Sequence, residues 1–91
     1  MRVRFTRRAF NDLMAQVDWL EQFSPDAARR ASQSIQDTLA WLADYPLAAP
    51  RVDADHRDVA VRFGRDGFFI RYRIDREDLV VVRVFHGRQA R

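Results

Sequence analysis

Apolar residues recur with two different periods along this chain, and the change of period is what most constrains its fold. From Phe10 to Leu42 they return every three or four positions; from Asp58 to Phe85 they alternate with charged ones. The first spacing belongs to helices with one buried stripe, the second to strands with one buried face. Helices therefore come first and strands after, an arrangement of the α+β kind.

Arg2 to Phe5 alternates charge with Val3 and Phe5 and reads as a short opening strand. Thr6 is placed to cap a helix. Phe10, Leu13, Met14, Val17 and Leu20 form its stripe. Ser24-Pro25-Asp26 stops that helix and starts another: a hydroxyl cap, a proline suited to the first position, and an acid that complements the helix dipole. Ala28, Ala31, Ile35, Leu39 and Leu42 mark the second stripe, and Pro46 ends it. Two helices joined so tightly make an antiparallel hairpin. Leu47 to Arg57 is then a loop.

Three strands follow, separated by turns at Gly64–Gly67 and Asp75–Asp78. The expected architecture is βααβββ, an antiparallel helical hairpin packed on one face of a mostly antiparallel four-stranded sheet. Residues 1–91 are expected to form a single domain. Alternation puts Val3, Phe5, Val59, Val61, Phe63, Phe68, Ile70, Tyr72, Ile74, Val80, Val82 and Val84 under the helices. The opposite face then carries Arg2, Arg4, Arg62, Arg71, Arg73 and Arg83, with Phe69, Val81 and Phe85 between them. Guanidinium groups interleaved with aromatic rings suit a phosphate backbone or an acidic peptide. The competing reading is a solvated face whose arginines pair with nearby acids, although among its sheet residues only Asp58 is acidic.

All sixteen basic residues are arginine and the net charge is +3. Every cation is thus a planar fork, and lysine-based chemistry is excluded. The absence of cysteine removes thiolate metal sites and disulfides, and no apolar run is long enough to cross a bilayer. The expected location is cytoplasmic, without membrane, metal or cofactor. His86, at the end of the last strand, is a candidate general acid or base if an acid such as Asp53, Asp55 or Asp58 stands beside it. A lone histidine at a strand end is more often structural, and by parity with Val80, Val82 and Val84 it reads as a rim residue of the core. His56 falls in a polar loop and reads as solvated. Trp19 and Trp41 fall off the helical stripes, as a broad core edge or as a groove for a partner helix.

With these residues in order, the chain resembles the ParE/RelE toxins of bacterial type II toxin–antitoxin systems. The resemblance is carried by Val3-x-Phe5-Thr6-x-x-Ala9-x-x-Asp12-Leu13, the Ser24-Pro25 break, Leu42-x-x-x-Pro46, Arg57, Ile70-x-Tyr72 and Arg83-Val84-Phe85-His86-Gly87-Arg88. It implies a toxin neutralised by a cognate antitoxin, ParD-like and with an acidic C-terminal segment. In the ParE branch the implied target is DNA gyrase, poisoned without intrinsic catalysis. In the RelE branch it is mRNA on the ribosome, cut by an endonuclease in which Arg83, His86 and Arg88 would act. The middle-strand lysines of the ribosomal nucleases are missing here, and Phe69 and Gln89 stand where those enzymes carry arginine. The Arg-Val-x-His-Gly ending is closer to the ParE branch. A binding module with no toxicity left is the third reading. Residues implied in target or antitoxin binding are Arg62, Arg71, Arg73, Arg83, Phe69, Phe85, Trp19 and Trp41.

Overall fold

The computed structural model describes residues 1–89. Strand β1 (Arg2–Phe5) leads into helices α1 (Arg7–Phe23) and α2 (Pro25–Asp44), followed by strands β2 (Arg57–Val61), β3 (Phe68–Asp75) and β4 (Asp78–His86). The expected order of elements is the observed one. Thr6 Oγ1 accepts from the amide of Ala9 at 3.1 Å, satisfying one of the free N–H groups that open α1. Ser24 serves both helices. Its amide donates to the Leu20 carbonyl at 2.9 Å and closes α1, while its hydroxyl accepts from the Ala27 amide at 3.1 Å and opens α2. Pro25 sits where its missing N–H would have had no partner. A single residue therefore reverses the chain, and the two helices pack as a hairpin.

The sheet order is β1-β4-β3-β2. β2, β3 and β4 form an antiparallel meander, β1 runs parallel to β4, and the hairpin carries the chain from β1 to β2 at the far edge of the sheet. The helices cover one face. Ala9 of α1 and Ala31, Ile35, Leu39 and Leu42 of α2 close on Val59, Val61, Phe68, Ile70 and Tyr72. Tyr72 is fully buried, and its hydroxyl donates to the Pro46 carbonyl at 2.7 Å, pinning the loop after α2 to the centre of the sheet. Burial pushes its phenol pKa up. No helix among the described residues is long and apolar enough to cross a membrane.

Alternation misassigned one stretch of β4. Val84 pairs with Ile70 and Arg83 with Arg71, but the next pair is Tyr72 with Val81, so Val82 is the extra residue of a bulge. Leu79 and Val81, not Val80 and Val82, lie under the helices. Val80 instead stands on the opposite face, where Arg4 and Arg73 are its register neighbours, and it is still only 1% exposed. The run Leu79-Val80-Val81-Val82 is apolar throughout, so nothing in it marks which residues face inward.

Candidate functional site

The sheet face away from the helices carries the arginines, as alternation requires. Arg71 and Arg83 are register partners across β3 and β4. Like charges set directly opposite repel, and such a pair needs compensation. It comes from two sides. Asp58 of β2, directly opposite Arg71, accepts from its Nε at 2.8 Å and from a terminal nitrogen at 3.0 Å, a two-pronged pair with Asp58 itself 8% exposed. The Asp58 contact raises the Arg71 pKa further above its ordinary value. Asp12 of α1 accepts from Arg83 Nε at 2.8 Å. Between them lies Phe85, 2% exposed, with the Arg71 and Arg83 guanidinium carbons 5.3 and 5.2 Å from the ring centre. Phe85 is thus a platform beneath two forks and offers no open ring to a partner.

Asp12 does a second thing. β1 accompanies β4 only as far as Val81, so beyond that point no strand among the described residues lies along the outer edge of β4. Side chains replace it. The Thr6 hydroxyl reaches the Val82 carbonyl at 3.5 Å, Asp12 accepts from the Val84 amide at 3.0 Å, and Gln89 Oε1 accepts from the His86 amide at 2.6 Å. Gln16 of α1 donates to the same Gln89 oxygen at 3.2 Å. Asp12, a residue of the motifs that carried the resemblance, and Gln89 therefore seal an edge that would otherwise be a template for strand pairing.

The acids on this face outnumber the sequence reading. Asp78 holds Arg2 through two contacts of 3.0 and 2.9 Å and Arg4 at 2.7 Å, and Asp75 lies 3.4 Å from Arg73 and 3.9 Å from Arg4. The arginine contacts, Arg2 first, hold the Asp78 carboxyl below its ordinary pKa. Asp75 continues the alternation of Arg71 and Arg73, a signal legible in the sequence had the turn been started one residue later. Arg62, just past β2, is exposed and has no hydrogen-bond or ion-pair partner among the described residues. Phe69 is half-buried beside Ala60 and Phe85 in register.

None of Asp53, Asp55 or Asp58 forms a contact with His86. Its Nδ1 accepts from the Arg88 amide at 3.2 Å, and its ring meets Phe68 edge-on at 5.9 Å. Asp53 pairs instead with Nδ1 of His56 at 2.9 Å, so that loop histidine is held rather than free. Gly87 packs against the β2–β3 turn so closely that a Cβ there would lie 1.9 Å from the Asp66 carbonyl, and Arg88 Nε reaches the Asp66 carboxylate at 3.3 Å. The C-terminal turn is a hook fastened to the neighbouring hairpin. Trp19 and Trp41 are 57% and 48% exposed, against Phe23 and Tyr45 respectively. Each lies in the C-terminal half of its helix, so the antiparallel hairpin puts them at opposite ends and they do not line one groove. Among the described residues no cluster of three His, Asp or Glu side chains is arranged to hold a metal.

A family model described as the ParE toxin of the type II toxin–antitoxin system parDE matches residues 3–91. The chain is 30% identical over 84 residues to Toxin RelE1 of Caulobacter vibrioides, covering 92% of this chain and 90% of that protein. It is 31% identical over 84 residues to Toxin RelE3 of the same organism, covering 92% and 91%. A solved structure titled "Chromosomal ParDE TA system from P. aeruginosa" superposes with a TM-score of 0.71 over 94% of this chain and 95% of that one, at 23% identity, a likeness of fold.

Proposed function

The chain belongs to the ParE/RelE toxins of type II toxin–antitoxin systems, and from that premise we propose that it poisons DNA gyrase by binding rather than cutting RNA. One observation carries this reading. The arginines that a phosphate-cleaving face would need are already held by carboxylates: Arg71 by Asp58, Arg83 by Asp12, Arg73 by Asp75. A cation neutralised in the resting protein lends little net field to a scissile phosphate, which preorganised electrostatic catalysis requires. Among the described residues no carboxylate contacts His86, and one of its ring nitrogens is occupied by a backbone amide. The face is ordered and close to neutral, which suits recognition of a protein surface. Its cognate antitoxin, in this reading, is ParD-like, with an acidic tail drawn by the remaining positive charge.

Purified gyrase supercoiling relaxed plasmid is the direct test. Cleaved DNA is expected to accumulate as toxin is added; supercoiling that runs normally at toxin excess overturns the proposal. The RelE names of the two relatives, and Arg62 without a partner among the described residues, favour ribosome-dependent mRNA cleavage as the alternative. In a translation extract with mapped mRNA 5′ ends, new cuts within the ribosomal A site would establish that alternative.

A further inference from the structure

We propose that the β2–β3 turn and the hook beside it contact the phosphate backbone of duplex DNA. The proposal rests on the gyrase reading only in naming the DNA that gyrase holds as the place of contact. On the sheet face the arginines are spent on carboxylates; at this end of the sheet they are not. Arg62 leaves β2, Arg65 stands in the turn with 85% of its side chain exposed, and Arg88 comes from the hook. Among the described residues Asp66 is the one carboxylate they contact. Arg88 Nε lies 3.3 Å from it, Arg65 Nε only 3.9 Å, and Arg62 touches none. Three forks against one acid leave two charges uncompensated.

The backbone keeps the three close. The Gly67 amide donates to the Phe63 carbonyl at 2.9 Å and closes the turn. The Gly67 carbonyl accepts from the Gly87 amide at 2.9 Å, which fastens the hook to the same residue. Gly67 has a φ of +65°, and a Cβ there would lie 2.5 Å from the Val61 carbonyl, so the turn requires glycine. Consecutive Cα atoms are about 3.8 Å apart, which holds those of Arg62 and Arg65 within about 11 Å of each other. Arg65 and Arg88 flank the same Asp66 carboxylate. A backbone held in this way loses little freedom when a ligand arrives.

The surroundings favour a phosphate backbone over a protein. Phe63 stacks on Phe68 with ring centres 5.5 Å apart, and the Arg30 guanidinium lies 5.7 Å over the Phe63 ring. Phe68 is buried. Neither ring offers the open aromatic anchor on which protein partners concentrate their binding energy. Charge without such an anchor suits a ligand held through its phosphates, whatever its sequence. Duplex DNA carries one charge per about 1.7 Å of its axis, so forks spaced as these are can each reach a phosphate, and the guanidinium fork matches its oxygens. Arg7 and Arg8 are also exposed, but adjacent positions on a helix diverge by about 100° and do not present one surface.

Fluorescence anisotropy of a short labelled DNA duplex, titrated with the full chain at several salt concentrations, tests the site without gyrase. Three phosphate contacts predict that log affinity falls against log salt with a slope of about −2.7. The double variant Arg62→Gln, Arg65→Gln should weaken binding on the order of tenfold or more and bring the slope to about −0.9. Arg7→Gln with Arg8→Gln, an equal loss of charge elsewhere, should weaken it by less than about threefold. Arg88 is left intact because it also fastens the hook. Equal losses in the two double variants, or no saturable binding by the parent, overturn the site. A single-stranded RNA of the same length bound more tightly than the duplex overturns the choice of ligand. Gyrase cleavage complexes are measured separately. A parent that binds the duplex without trapping gyrase refutes the gyrase reading and upholds the site; one that traps gyrase without binding the duplex refutes the site.

Discussion

Replacing Asp12 should destabilise the protein more than any other single change on the surface of α1. Its carboxylate holds two things at once, the Val84 amide at 3.0 Å and Arg83 Nε at 2.8 Å. A hydrogen bond to a charged group contributes about 1.5–3 kcal/mol, and a buried amide left without a partner costs about 1–3 kcal/mol. Val84 is 1% exposed, so water gives its freed amide little relief. Arg83 is easier to rescue, because its side chain is 28% exposed and can turn to solvent; that half of the interaction contributes about 1 kcal/mol or less. Asp12→Ala should therefore cost about 3 kcal/mol, and Asp12→Asn, which keeps an acceptor for the amide, about half of that. For a domain of this length the alanine variant should melt roughly 12–24 °C lower. Thermal denaturation followed by circular dichroism measures it, with Arg83→Gln and the double variant closing a cycle that isolates the ion pair. If Asp12→Ala melts within about 4 °C of the parent, a change of about 1 kcal/mol or less, the edge-sealing role is refuted. An asparagine variant as damaged as the alanine one would likewise place the loss in the charge and not in the amide.

Gly87→Ala should cost about 1–3 kcal/mol, since its Cβ meets the Asp66 carbonyl and the hook must lift away; proteolysis of the C-terminal turn should accelerate in step. Arg76, in the β3–β4 turn, has a φ of +57°, so Arg76→Gly should be neutral to stabilising by up to about 1 kcal/mol, read as an unchanged or higher melting temperature. Asp53 and Asp78 both have folded pKa values below the ordinary one, so the unfolded chain binds more protons on the acid side and stability falls as pH drops through their folded values. Urea titrations from neutral pH to below about pH 4 should show that fall, and Asp78→Asn should flatten it; a slope unchanged in that variant would exclude Asp78 as a source.

Most of the fold was legible because local chemistry and global packing ask for the same thing. Ser24 and Pro25 define the hairpin whether or not a sheet lies beneath it. The Val59-Ala60-Val61 and Ile70-Arg71-Tyr72 alternations define two strands and their buried sides. The arginine face followed from parity alone. What parity did not supply was the charge state of that face. Its partners come from Asp12, on a helix 71 positions before Arg83, and from Asp75 and Asp78, which read as turn residues. Nor did spacing supply the bulge at Val82, since four consecutive apolar residues serve either face equally well.

Local spacing was therefore enough to specify the elements, their order, the hairpin and the direction in which the arginines point, since each depends on neighbours within a turn or a strand. Long-range packing settled which carboxylate each guanidinium meets and how the short β1 leaves an edge that side chains must close. Those outcomes depend on contacts across the whole chain, where a shift of one residue in register turns a side chain to the other face and periodicity no longer carries the answer.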